Sequence, residues 1–212
     1  MDEASPQPAP DPVPAGAAAW QELFAGSSAR AILARIVEGD PLGLQSRCEQ
    51  RVHSQSLLLE VRRLHMRTAA HVARHAGSYR GAPPLDVWVA EKVRKALGEL
   101  LDEDDERGRQ SELPELPRDE RLLAIAAAVG MEPEVLARGL AAFNRSSHDV
   151  RSALCGMVLD RVSPSDWAVV NGVTADRAKT CVRRALWILG VRSDVDVDGL
   201  LSDADDGGDD GA

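Results

Sequence analysis

Residues 150–189 read VRSALCGMVLDRVSPSDWAVVNGVTADRAKTCVRRALWIL, and the punctuation inside this stretch decides the fold. An apolar helix runs into Ser163-Pro164-Ser165-Asp166. There a serine hydroxyl can accept from the free amides of a new helix, and proline fills a first position that needs no amide. Asp166 falls where the acid of a capping box reaches back. The short helix so opened ends at Asn171-Gly172, because glycine takes the left-handed conformation of a helix C-terminus without steric cost. Thr174 then caps a longer helix. On it Ala178, Cys181, Val182, Ala185, Leu186 and Leu189 share one face, while Arg177, Thr180, Arg183, Arg184 and Trp187 lie on the other. An apolar face that holds the helix to its partners, with a basic face open to a groove, is the pattern of a DNA-binding helix-turn-helix. The plain alternative is an amphipathic hairpin whose arginines are merely solvated.

Charge gives a second bearing. The 212 residues carry 25 Lys and Arg against 34 Asp and Glu, a net charge of -9, which taken alone argues against a nucleic-acid partner. Its distribution reverses that inference. Residues 1–19 hold Asp2, Glu3 and Asp11, residues 193–212 hold eight Asp, and neither segment has a Lys or Arg. A further ten acids fall between Glu99 and Glu120 with only three arginines, so the helical segments on either side are distinctly basic.

Outward from the central stretch, the pattern is helical throughout. Met1 to Ala19 is rich in Pro and Ala and is expected to be disordered, with residues 1–26 forming a tail. Ser28 caps a helix through Glu38, closed by Gly39, with Ile32, Leu33, Ile36 and Val37 inward. Leu44 to Ala76 has no Gly or Pro, which is long for one globular helix, and a break is expected near Met66–Thr68. Residues 77–84 form a loop. Leu85 to Leu101 is helical, with Val89, Val93, Leu97 and Leu100 inward. The acidic, proline-interrupted residues 102–117 read as a solvated linker. Helices over Asp119–Val129 and Pro133–Phe143, separated by Gly130, lead into the helix-turn-helix. No period-two alternation occurs. The expectation is an all-α protein of two small helical domains, 27–101 and 118–192, followed by a disordered acidic tail, 193–212.

The order of these elements resembles the sigma-70 family of bacterial transcription initiation factors in its compact, extracytoplasmic-function form. Residues 149–189 are similar to the family's region four, whose recognition helix ends in an R-A-x-x-x-L pattern matched by Arg184, Ala185 and Leu189. Residues 31–36, then Gly39-Asp40-Pro41, resemble the start of region two. Ser78-Tyr79-Arg80-Gly81, then Leu85, Trp88, Val89, Val93 and Ala96, resemble that region's loop and its F-x-x-W-L-x-x-I pattern, whose Trp packs inward. The resemblance implies promoter DNA and core RNA polymerase as partners, with an anti-sigma factor as a further one. It implies −35 contacts through Arg177, Lys179, Thr180, Arg183 and Arg184, with Thr174 positioning phosphate, and Lys92, Arg94 and Lys95 near the −10 strand. The sequence departs from the family at residues 67–75, RTAAHVARH, which have no carboxylate where an acidic stretch docks on the polymerase clamp. That departure keeps open an alternative, a sigma-derived interaction protein that regulates polymerase or another sigma factor without reading promoters. A stand-alone helix-turn-helix regulator is the third possibility.

Other constellations are weaker. Asp194, Asp196, Asp198, Gly199 and Asp205 match a calcium loop loosely, but Asp stands at the twelfth place and no exit helix is expected, so no metal site is assigned. His71 and His75 are one helical turn apart without a third ligand. Cys48, Cys155 and Cys181 have no metal-binding or redox spacing and are expected to be buried free thiols. No nucleophile elbow, phosphate loop or carboxylate pair marks an enzyme, and no cofactor is expected. Without a secretory signal or an apolar run of about 20 residues, a cytoplasmic location is expected.

Overall fold

The computed structural model describes residues 24, 26–109, 119–191 and 195–202, and among these every regular element is helical. The chain falls into two compact units. One comprises residues 1–50 and 61–98, the other residues 51–60 and 99–212.

In the first unit, α1 (Ala29–Gly39) starts at Ser28, whose hydroxyl accepts from the Ala31 amide at 3.3 Å. Ile32 and Ile36 are buried, Leu33 is partly so, and Val37 is exposed. The residue that stops the helix is Asp40 rather than Gly39: it takes the left-handed conformation at φ 40°. Its carboxylate then caps the following helix, α2 (Leu44–Ser54), accepting from the amides of Leu44 at 2.7 Å and Gln45 at 2.9 Å. One aspartate thus ends one helix and begins the next. After α2 come α3 (Val61–His75), a 3-10 turn (Ala76–Ser78) and α4 (Leu85–Arg109). Helix α1 packs on α3. The core of this unit gathers Ile36, Leu44, Val72, Tyr79, Trp88 and Val89. Phe24, within the expected N-terminal tail, also belongs to it and is buried, with the Arg35 guanidinium 6.0 Å from its ring centre.

Three boundaries differ from the sequence expectation. The break in residues 44–76 lies between Ser54 and Val61, whereas Met66–Thr68 is helical. Ser56 takes φ 50°, and the Leu57 amide bonds back to the Val52 carbonyl at 3.0 Å, a helix stop that uses serine where glycine is usual. Leu57, Leu58 and Leu59 then run on, all buried, an arrangement one face of a helix cannot provide. The second difference is that α4 continues through the acidic residues to Arg109. Arg107 pairs there with Glu103 at 3.5 Å and Asp104 at 3.3 Å, one helical turn back. The rest of the expected linker, 110–117, the end residues 118 and 192 of the expected second domain, and the tail expectations for 1–23, 25, 193–194 and 203–212 lie outside the described residues. The third is the C-terminal segment, where Val197–Ser202 forms a helix, with Val197 and Leu201 buried, in place of a disordered tail.

The second unit contains α5 (Glu120–Val129), α6 (Pro133–Arg145), α7 (His148–Leu154) continuing into a π-turn (Cys155–Leu159), α8 (Pro164–Asn171), α9 (Ala175–Ile188) and α10 (Val197–Ser202). Its core is built from Leu122, Ile125, Leu136, Phe143, Leu154, Val182 and Leu186, among others, and includes Leu58 from the 51–60 segment. The main chain of that segment is met by side chains. The carbonyls of Ser54, Gln55, Leu57 and Leu58 accept from His148 at 3.2 Å, Arg151 at 2.9 Å, Arg121 at 3.0 Å and Asn144 at 2.9 Å. Buried main-chain groups outside a helix need such partners, and this unit supplies them one by one.

Candidate nucleic-acid interface

The helix pair α8–α9 is fixed at each end by the residues that define it in the sequence. Ser163 Oγ accepts from the Asp166 amide at 3.1 Å and donates to the Asp166 carboxylate at 2.8 Å, so the acid reaches back to the cap hydroxyl, where a capping box would use the cap amide. At the other end Gly172 takes φ 65°. Its amide bonds to the Val169 carbonyl at 3.3 Å and the Val173 amide to the Ala168 carbonyl at 3.0 Å, the paired bonds of a Schellman stop. Thr174 Oγ1 then accepts from the Arg177 amide at 3.2 Å and starts α9. Trp167 packs beneath, its indole 3.0 Å from where a side chain on Gly156 would begin, so the π-turn approaches through glycine.

The buried face of α9 consists of Ala178, Cys181, Val182, Ala185 and Leu186, closed by Leu189. Opposite them Arg177, Thr180, Arg183, Arg184 and Trp187 are exposed, Trp187 by 73%. At about 100° of rotation per residue the polar arc has an internal order. Arg177 and Arg184 stand on one flank, Lys179 and Arg183 on the other, with Thr180 and Trp187 between. The Thr180 hydroxyl donates to the Asp176 carbonyl at 2.8 Å, so its free lone pairs face outward. Asp176 shares the arc at the first turn, where its charge complements the helix dipole.

The flank of Lys179 and Arg183 is occupied. The two oxygens of the Asp198 carboxylate, on α10, accept from Lys179 Nζ at 2.8 Å and from the Arg183 guanidinium at 3.0 Å. Hydrogen bonding and charge from Lys179, with a smaller contribution from Arg183, hold the Asp198 carboxyl below the ordinary aspartate range. Asp196 accepts from the Gly199 amide at 2.9 Å and so begins α10. The calcium-loop pattern is therefore used otherwise here: Asp196 is a cap, Asp198 an ion-pair partner and Gly199 part of a helix, while Asp194 and Asp205 lie outside the described residues. Among the described residues no group of three or more His, Cys, Asp or Glu is arranged to hold a metal ion.

The other predicted contacts, Lys92, Arg94 and Lys95, lie on α4 in the first unit. Arg94 and Lys95 are exposed; Lys92 is half-buried, its ammonium 4.8 Å from the ring centre of the buried Trp88. In α3, the carboxylate-free stretch buries Thr68, Ala69, His71, Val72 and Ala73. Cys48, Cys155 and Cys181 are buried free thiols, and burial pushes Cys48 and Cys155 up to about 11, which keeps them protonated and unreactive at neutral pH. No helix among the described residues is long and apolar enough to cross a membrane. Comparison with family models, curated proteins and solved structures gives no match.

Proposed function

We propose that this chain is a sigma-like transcription initiation protein that binds promoter DNA through α9 and directs core RNA polymerase to it. One observation carries the reading. Two capped helices meet at a glycine stop, and the second presents Arg177, Thr180, Arg183 and Arg184 outward from a fully apolar inner face. Arginines here have the reach for phosphates and for the acceptor edge of guanine, and Thr180 can address either base or backbone. The exposed Arg94 and Lys95 support a second contact through α4.

A specific observation favours a second reading, a sigma-derived protein that regulates polymerase or another sigma factor without promoter reading. The exposed or half-exposed side chains of residues 67–75 offer cations and no carboxylate to a polymerase clamp. Pull-down of core polymerase by the purified chain, followed by run-off transcription from candidate promoters, separates the two. Run-off with added chain supports initiation. Polymerase or sigma capture without promoter-directed transcripts supports the regulator. Neither result, with DNA still bound, leaves a helix-turn-helix regulator.

A further inference from the structure

We infer that α10 is an intramolecular stand-in for DNA, with Asp198 occupying the place of a backbone phosphate on one flank of the recognition helix. The inference rests on α9 being a DNA-contacting helix and names how that contact is regulated. Lys179 and Arg183 are one helical turn apart, and a single carboxylate takes one donor on each oxygen. The two non-bridging oxygens of a phosphodiester present the same pair of acceptors to the same pair of donors. Both cannot be there together.

The position of Asp198 is built rather than incidental. Val197 and Leu201, on either side of it in sequence, are 7% and 4% exposed and belong to the core of the second unit. Asp196 caps the helix start through the Gly199 amide. At six residues α10 is too short to persist alone, so its helicity and its docking stand or fall together. Such an element has two states. Docked, it covers the Lys179–Arg183 flank and leaves Arg177 and Arg184 exposed. Released, it frees Lys179 and Arg183 as well, so that four basic side chains on one helix are open. The ion pairs are exposed, and pairs of this kind contribute modestly and weaken with salt, which suits a contact that DNA must displace.

The test is fluorescence anisotropy of the full chain on a short duplex of random sequence, across a salt series. Asp198→Asn should bind about three- to tenfold tighter than wild type at low salt, the range two exposed pairs support, and the gain should shrink as salt rises. Its salt dependence should be steeper than that of wild type, whose binding must first break pairs that salt itself weakens. In a Lys179→Met/Arg183→Met background, the gain from Asp198→Asn should disappear, since these two donors no longer hold the carboxylate on α9. Glu134→Gln removes the same charge from an exposed site in the same unit and should give no comparable gain. If wild type binds DNA and Asp198→Asn binds it equally, the stand-in is overturned while the DNA-binding reading stands. If Glu134→Gln matches Asp198→Asn, net charge explains the gain and the stand-in is again overturned. If no variant binds duplex DNA at any salt, both fall together.

Discussion

Asn144 and Leu58, 86 positions apart, form a closed pair: the Leu58 amide donates to Asn144 Oδ1 at 2.9 Å, and Asn144 Nδ2 donates to the Leu58 carbonyl at 2.9 Å. Both residues are buried. The side-chain amide thus imitates a neighbouring strand for one residue of a segment that lies outside any helix. Asn144→Ala is expected to cost about 2–4 kcal/mol, because two buried main-chain groups are left without partners at once. Urea unfolding provides the check, read as a lowered midpoint at constant slope. A loss below about 0.5 kcal/mol, the size of an ordinary surface change, would mean water replaces the pair.

The same segment changes what a cut in the chain should do. Residues 51–60 and 99–109 belong to the second unit although they precede residues 110–118. A protease site placed within 110–118 therefore cuts through a unit rather than between two. The nicked pieces should elute together in size exclusion under native conditions and separate in denaturant. Two independently migrating native fragments would show that the 51–60 segment does not hold the second unit together.

Two glycines in helices predict opposite outcomes for the same substitution. A methyl group on Gly139, in α6, would lie 2.4 Å from the Ile188 carbonyl oxygen and 2.6 Å from Leu189 Cα, backbone atoms that cannot swing aside. Gly98, in α4, has nothing within 4 Å. Gly98→Ala should stabilise by about 0.5–1 kcal/mol through the lower entropic cost of ordering alanine. Gly139→Ala has the same gain but must push α6 off the end of α9, so it should destabilise by about 1–3 kcal/mol as overpacking does. Thermal melts of the two variants beside wild type give the signs directly; stabilisation by both would remove the close approach.

Asp119 gives the pH dependence. It caps α5 through the Arg121 amide at 2.9 Å and is 7% exposed. Burial holds its carboxyl above the ordinary aspartate value, against the opposing pull of the Arg121 amide and guanidinium. A carboxyl raised in the folded state adds stability that is complete below its unfolded pKa and is lost as pH rises through the folded one. Asp119→Asn keeps the capping oxygen and carries no charge. Relative to wild type it should be neutral or weaker below the ordinary aspartate value of about 3.9, then gain steadily with pH and level off. Urea midpoints of both proteins across the acid range test this; a difference that stays flat or falls with pH would contradict the burial effect.

Arg177, Arg183 and Arg184 set the DNA prediction. Replacing all three with alanine removes exposed side chains and leaves the inner face of α9 intact, so the variant should fold normally. Duplex affinity should drop, and the slope of log K against log salt should flatten by about 0.9 for every phosphate the helix no longer neutralises. An unchanged slope in the folded variant would take α9 off the DNA.

Helix ends were the most legible part of this chain, because a cap is a local event. Ser28, Ser163, Gly172, Thr174 and Gly130 act within three or four residues of themselves, and the structure uses each of them at a helix boundary. The inner face of α9 was legible for a related reason: helical periodicity is a property of consecutive residues. The break at Ser56 was not, since it uses no glycine or proline. A left-handed serine there is tolerable because Arg151 binds the carbonyl just before it, and Arg121 and Asn144 receive the main chain that follows.

By itself, the sequence determined the all-helical class, the capped pair α8–α9 and the separation of an apolar from a basic face on α9. All of these depend on residues within a few turns of one another. Only the tertiary structure decided that residues 51–60 complete the second unit and that Asp198 lies on Lys179 and Arg183. Both facts join residues far apart along the chain through directional hydrogen bonds, and nothing in the spacing of the sequence encodes which distant groups will meet. The tail's composition announces its charge. Its docking depends on Val197 and Leu201 finding room in a core that exists only once the rest of the unit has folded.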